Sequence, residues 1–301
     1  MLNINRALCS DRLMKALTGM TVAEFERLLP IFTAALKRAQ VKGKKERKRA
    51  IGGGRQHTLT SPPDKLFFIL LYLKCYPTLD LAGLLYGVDR SQTQRWVKAL
   101  MAVLEEGLGW QLVLPERRIG SLEEFIQRFP GVKDVFVDGT ERPTQRPQQA
   151  KVQQEHYSGK HKDHTLKNLI VSDDHKRILC LTQTKPGARQ DYFRFKQAGL
   201  GEVIPDDIGV WVDLGFLGIV KDYPHLQVVI PHKSSKNHPL TPWQKAENRV
   251  ISALRICIEH AIAGVKRFRC LTDPYRNKGI VLADKFMLIA CGLWNYHLLP
   301  A

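Results

Sequence analysis

The sequence has 301 residues, with 46 Lys and Arg against 29 Asp and Glu and a formal charge of +17. At about 100–200 residues per domain this is length for two domains, and 44% hydrophobic residues with 8% aromatics can fill sizeable cores, which excludes a disordered tail. So large a positive surplus points to a polyanionic partner, nucleic acid first, because net charge speaks to partners rather than to fold.

The first ten residues lack a basic stretch followed by an apolar one, so no secretory signal is expected and the chain is expected to stay inside the cell. Residues 10–40 read as helical: Thr21 and Glu24 form a capping-box pair ahead of an apolar stripe of Phe25, Leu28, Leu29, Phe32 and Leu36, and Pro30 is expected to kink the helix. Lys42, Lys44, Lys45, Arg47, Lys48 and Arg49 then oppose a single acid, Glu46, ahead of Gly52-Gly53-Gly54-Arg55. This basic linker reads either as a solvated charge run or as an arm that tracks phosphates, and its composition also suits a nuclear-import signal.

Ser61-Pro62-Pro63-Asp64 opens another helix, with Ser61 as N-cap, Pro62 at the first helical position and Asp64 at the positive end of the dipole; it should run to about Tyr76. Thr78 to Lys98 then reads as two short helices about a Gly87-Val88 turn, the spacing of a helix-turn-helix. Gly83 is small where the helices cross, Gly87 can take the left-handed conformation, Val88 plugs the core, and Asp89 with Gln92 caps the second helix as a box. Trp96 and Leu100 should face inward, leaving Arg90, Ser91, Gln92, Gln94, Arg95 and Lys98 toward solvent or a major groove. Gln and Arg make bidentate contacts to adenine and guanine edges, so these residues are candidate DNA contacts. Ordinary bundles share the geometry, and Thr93 stands where a larger aliphatic residue usually packs.

From Lys133 onward strand-like runs (Val135–Val137, Leu169–Val171, Ile178–Thr182, Val210–Val212, Val228–Ile230) alternate with helical ones, which predicts an α/β domain. A helix over 121–129, with Ser121 and Glu124 as its box, precedes the first strand. The predicted organisation is a helical segment at 1–41, the linker at 42–60, a helix-turn-helix domain at 61–115 and the α/β domain at 116–301.

Two acids close apolar strands: Asp138 after Asp134-Val-Phe-Val, and Asp213 after Gly209-Val-Trp-Val. Ionised carboxylates there are expensive unless they meet a cation or a donor, and a divalent metal would satisfy both. The competing reading is local, since Asp-Gly between hydrophobic runs is a strong hairpin signal. Over 246–268, Asn248, Ser252, Arg255, Glu259 and Lys266 fall on one polar stripe of a helix, with Val250, Ile251, Leu254, Ile258, Ala261 and Val265 largely opposite. That helix should pack on the sheet and could aim Glu259 at the strand ends; alternatively Arg255 and Glu259 are an ordinary surface pair.

In the order strand Asp, strand Asp, helix Glu the sequence resembles transposases of the DDE superfamily, in the insertion-sequence branch related to the Harbinger-type nucleases. The resemblance runs over nearly the whole chain: Tyr76 to Trp96, the segment Val137-Asp138-Gly139-Thr140-Glu141-Arg142-Pro143, Tyr157 to Lys160, His164 to Lys167, Pro186 to Asp191, Asp213-Leu-Gly215-Phe216-Leu-Gly218, and the closing Arg255, Glu259 and Lys266. It departs at Ser252, where many relatives carry Tyr, and at Gln190, where a His often precedes the aspartate. The resemblance implies an RNase H-like fold, a mixed five-stranded sheet with flanking helices, with Asp138 on the first strand, Asp213 after the fourth and Glu259 on a late helix. It further implies that these three carboxylates hold two Mg²⁺ or Mn²⁺ ions for in-line attack of water or a 3′-hydroxyl on DNA, and that Arg255 and Lys266 orient phosphates.

Other residues rank lower. His161 and His164 enter a strand on opposite faces, Asp173-Asp174 suits a solvated hairpin turn, Asp191 a helix N-cap, His260 a packed histidine and Trp243 a structural role. Ile280 to Leu299 is interrupted by Asp284, Lys285, Asn295 and His297, so it reads as a core helix rather than a membrane span. Six cysteines without a C-x-x-C pair suggest neither a zinc ribbon nor a disulfide framework and fit a reducing compartment.

The expected function is a DNA transposase that binds terminal inverted repeats and target DNA as a homodimer or higher multimer, without a membrane partner, nucleoid-associated in a bacterial cytoplasm or nuclear in a eukaryote. The alternatives are a DNA-binding or recruitment protein that has lost catalysis, and a nuclease without strand transfer.

Overall fold

Helix caps written into the sequence divide the N-terminal half. The computed structural model describes residues 4–41 and 58–300, so the basic linker expected at 42–60 lies outside the described residues apart from 58–60. The chain forms two compact units: residues up to Leu114 with Lys266–Asp273 and Lys285–Ala301, and Pro115–Val265 with Pro274–Asp284.

The first unit opens with α1 (Ile4–Leu8), α2 (Asp11–Thr18), α3 (Val22–Val41), α4 (Pro62–Cys75), α5 (Leu79–Tyr86) and α6 (Arg90–Trp110). Gly19, at φ 76°, ends α2 and divides the helical stretch expected at 10–40. Thr21 Oγ1 accepts from Glu24 N at 3.1 Å while Glu24 Oε2 accepts from Thr21 N at 2.6 Å, which is the predicted capping box; α3 runs on through Pro30. Ser61 and Asp64 form the reciprocal box of α4, which is buried along Leu66–Leu73. Helix α6 is far longer than the short helix expected, because beyond Leu100 it buries Met101, Val103, Leu104 and Leu108.

The second unit carries, in chain order, α7 (Leu122–Arg128), β1 (Asp134–Pro143), α8 (Ala150–His156), β2 (Tyr157–Ser158), β3 (Asp163–Ser172), β4 (Ile178–Leu181), β5 (Lys185–Pro186), α9 (Asp191–Gln197), α10 (Leu200–Val203), β6 (Gly209–Trp211), α11 (Ile219–Asp222), β7 (Gln227–Val229) and α12 (Pro242–Lys266). The sheet order is β2-β3-β1-β6-β7, with the short strands β4 and β5 also pairing β3. β1 and β3 are antiparallel, whereas β1, β6 and β7 are parallel. Because β2, β5 and β4 follow one another along β3, the sheet has five lanes, and with its flanking helices it is an α/β, RNase H-like domain after a helical N-terminal region.

Strand alternation gives the sheet two apolar faces. Val135 and Val137 join Leu169, Val171, Val210, Val212, Phe195 and Phe216 in the larger core, while Phe136 faces the other way onto Cys257 and Ile258 of α12, with Trp211 and Ile262 beside them. Only the C-terminal half of α12 is buried in this way. Val250 and Leu254, expected on its packed side, are 60% and 48% exposed.

The last helix, α13 (Ile280–His297), is the core helix expected, and from Lys285 onward it packs within the first unit. Its partners there explain this: Phe286 meets the rings of Tyr72 and Tyr76, Tyr296 O–H accepts from Arg27 Nε at 3.2 Å, and Asn295 Nδ2 donates to Val113 O at 2.9 Å. Gly292 lets Leu114 approach, since a Cβ there would lie 2.6 Å from its Cδ2.

Candidate active site

The register of β1 and β6 sets the site. Phe136 opposite Trp211 is the last parallel pair between them, and Asp138 and Asp213 each lie two residues further on. Alternation therefore puts both carboxylates on the face that carries Phe136 and Trp211, against which α12 packs. This is the carboxyl end of the parallel lanes, where open α/β sheets bind their ligands. Asp138 does not end β1, as the sequence suggested: the strand continues to Pro143 because β3 pairs with it throughout, Asp138 opposite Ile170. The Asp-Gly dipeptide is therefore not a hairpin turn. β6, by contrast, leaves the sheet, and Asp213 accepts from Gly215 N at 2.9 Å to cap the 3₁₀ turn Leu214–Phe216.

Burial and the neighbouring Asp213 push the Asp138 carboxyl up to about 6, with Asp191 adding repulsion and the Gly139 N–H and Arg255 working against them. The Gly139 N–H donates to Asp138 Oδ1 at 2.7 Å. Arg255 comes from α12, and its own buried Nε finds no hydrogen-bond acceptor. Glu259 lies one turn further along α12 and is exposed, and Lys266 ends the helix. Asp138 and Asp213 are thus brought together with Arg255. Among the described residues no three His, Cys, Asp or Glu side chains are grouped closely enough to hold a metal ion, so Glu259 is not gathered with the other two.

The sequence model of the family described as DDE superfamily endonuclease matches residues 137–295, more than half of the chain, and that of the helix-turn-helix of DDE superfamily endonucleases matches 57–109. The chain belongs to the DDE superfamily, among the transposases of insertion sequences. This DDE protein is 31% identical over 237 residues to the "Probable transposase for insertion sequence element IS702" of Microchaete diplosiphon, covering 78% of its own length and 80% of that relative. It is 23% identical over 212 residues, 70% of its length and 71% of the other's, to a protein of Streptomyces albus G whose name likewise assigns it to an insertion sequence, element IS112. No solved structure matches the DDE protein. Among its described residues no helix is long and apolar enough to cross a membrane.

Its helix-turn-helix has the expected joints. Gly87 ends α5 at φ 65°, and a Cβ on Gly83 would come within 2.6 Å of Val88 O. Asp89 caps α6 by accepting from Gln92 N at 2.7 Å, but the Gln92 side chain accepts from Arg95 Nη2 at 2.9 Å instead of closing the box. Arg90, Ser91, Gln94, Arg95 and Lys98 are exposed and Gln92 half-buried. Thr93, Val97 and Leu100 form the buried stripe; Trp96 sits at its edge against Phe68, and Val88 is only half-buried.

Sequence reasoning missed a buried ion cluster on the opposite face of the sheet. Lys167, 6% exposed, lies 3.0 Å from Glu141 Oε1 and 2.9 Å from Asp191 Oδ1, and its ammonium also donates to Arg189 O at 2.9 Å. Asp191 is therefore not the N-cap, a position held by Gln190; it lies against Gly139, where a Cβ would fall 2.3 Å from Oδ1. The available signal was Lys167 ahead of the apolar run Leu169–Val171, since a lysine inside a buried strand requires a carboxylate. Elsewhere His161 precedes β3 and His164 lies in it, Asp173 is buried and accepts from Arg177 N at 2.8 Å, and Trp243 and His260 are exposed rather than packed.

Proposed function

We propose that the DDE protein is the transposase of an insertion sequence, whose helix-turn-helix binds the terminal inverted repeats and whose sheet end cleaves DNA strands and joins them to target DNA. The observation that carries this reading is Asp138: a half-buried carboxylate beside a second carboxylate, where Arg255 and the Gly139 N–H do not outweigh burial and Asp213. Such a pair suits a divalent cation, because a metal offsets the burial and the repulsion that together raise the carboxyl's proton affinity. Asp138 and Asp213 would hold it, and Glu259, exposed one turn beyond Arg255 and not gathered with them here, would join as the third carboxylate when the metal binds. Mg²⁺ or Mn²⁺ bound there, as two ions, supplies Lewis acidity and a nucleophile at neutral pH.

The chain's own residues do the rest. Asp138 is fixed by β1 and Asp213 by its turn, so their oxygens need no reorganisation when DNA arrives. Arg255 and Lys266 orient phosphate oxygens, the first as a fork and the second as a point charge. Arg90, Ser91, Gln92, Gln94, Arg95 and Lys98 contact the duplex, those near the start of α6 reaching base edges. Two element ends must be paired, so the working form is a homodimer or higher multimer.

The test is strand cleavage and strand transfer on terminal-repeat DNA with Mg²⁺ or Mn²⁺. Asp138→Ala and Asp213→Ala should each lose about 10²–10³-fold or more, and Glu259→Ala likewise, while retaining duplex binding. Equal cleavage by wild type and the two aspartate variants would overturn the assignment and leave a DNA-binding recruitment protein. Cleavage without capture of target DNA by the 3′ end would mark a nuclease.

A further inference from the structure

Beyond the end of β1 the second unit holds a cavity of about 700 Å³ that the proposed chemistry does not use. Its walls combine three chemistries. Gln145, Gln148, Gln149 and Asn277 bring side-chain amides, each a donor and an acceptor in one plane. Arg146 and Lys278 bring positive charge, and among the described lining residues there is no carboxylate. Leu166, Val152 and Ile280 supply apolar surface.

The lining is held in place. Tyr275 is 5% exposed; its O–H donates to Gly279 O at 2.8 Å and its N–H to Pro143 O at 2.9 Å, which ties the 275–280 wall to the end of β1. Arg146 Nε and Nη2 both donate to Gln153 Oε1, at 3.2 and 3.0 Å, which orients the guanidinium plane. His156 Nδ1 donates to Val152 O at 2.9 Å, which orients the ring.

We infer that this cavity receives one nucleotide of DNA extruded from the helix, with amides on the base edge and Arg146 and Lys278 on the flanking phosphates. The volume lies within the roughly 300–1,000 Å³ of small-ligand sites. Glutamine and asparagine are the side chains that pair with a base edge, and a walled depression admits a base only after it has left the stack. Cationic side chains with no carboxylate among the described lining residues favour a polyanion over a neutral metabolite. From Asp138 to Thr144 an extended backbone advances about 20 Å at about 3.4 Å per residue, the length of about six base-pair steps of B-DNA. An extruded base there would register the duplex relative to the cut.

This inference rests on the DNA-binding part of the proposed function and not on its metal chemistry, so the test is run in EDTA. Full-length protein is bound to a duplex carrying a single unpaired 5-iododeoxyuridine and to the same duplex fully paired, then irradiated, and the cross-linked peptide is mapped. The expected result is a cross-link within 144–156 or 275–280 from the unpaired base only, and about tenfold tighter binding of the bulged duplex. Gln148→Leu with Asn277→Leu should abolish that preference while binding the paired duplex as wild type does. A cross-link elsewhere, no cross-link, or equal affinity of wild type for both duplexes overturns the inference. Cleavage surviving Asp138→Ala, together with a cross-link in the cavity, would remove the metal assignment and keep the cavity.

Discussion

Of the three acids on β1, Asp138 and Glu141 stand three residues apart on opposite faces of one sheet, and they are treated in opposite ways. Around Glu141, burial works against the charge, but hydrogen bonds from Thr165, Ser158 and Lys167 and the lysine's field outweigh it and hold the carboxyl below its usual range. Around Asp138, burial and Asp213 win, and the carboxyl rises to about 6. The first acid has a lysine folded against it at 3.0 Å; among the described residues the cation that lowers the second is Arg255, and with the Gly139 N–H it does not outweigh burial and Asp213. An acid that serves the fold is neutralised by the chain, whereas an acid left short of countercharge where parallel lanes open is one that an external cation can complete.

The sharpest way to break this contrast is Lys167→Met. It removes the cation from Glu141 and Asp191 and leaves two buried carboxylates, which should cost about 3–5 kcal/mol, read as a lower denaturant midpoint at pH 7. A loss below about 1 kcal/mol would show that the cluster is not what stabilises this face. Asp138→Asn should do the reverse. Its carboxylate binds a proton more tightly folded than unfolded, so the charged form costs stability above about pH 6; that cost shrinks as the pH falls and is gone below about 4. Without divalent ions the variant should exceed wild type by up to roughly 3 kcal/mol at pH 7–8 and match it near pH 4. Added Mg²⁺ or Mn²⁺ should then stabilise wild type and not the variant, with the wild-type gain fading as the pH drops through about 6. An unchanged midpoint for Asp138→Asn in EDTA would mean that burial and Asp213 do not penalise the charged carboxyl.

What could be read from the sequence was whatever is decided within a few residues. The Thr21/Glu24 and Ser61/Asp64 boxes, the Gly83 and Gly87 joints and the strand-like runs on either side of Asp138 and Asp213 all stand where their local chemistry put them. Non-local pairing was not legible. β1 runs past Asp138-Gly139 because β3 supplies a partner out to Thr165, and the turn signal of that dipeptide yields to the ladder. Asp191 read as a cap because its partners, Lys167 and Gly139, are distant in the chain. Val250 and Leu254 fit an apolar stripe, but α12 reaches the sheet only from Cys257 onward, and periodicity does not report where a helix meets its support.

Gly139 is where the two faces meet, and it gives the finest test. With no side chain it lets the whole Asp191 carboxylate lie against β1: a Cβ would stand 2.3 Å from Oδ1, 2.4 Å from Cγ and 2.6 Å from Oδ2. Alanine is compatible with a strand backbone, so Gly139→Ala acts through this contact alone, forcing Asp191 to swing and stretching its 2.9 Å ion pair with Lys167. The expected cost is about 1–3 kcal/mol. Asp191→Ala removes the obstacle and one of the lysine's carboxylates together, so in the double variant the alanine at 139 should cost almost nothing, a non-additivity that a double-mutant cycle reads directly. If the two changes add, the carboxylate does not rest on Gly139.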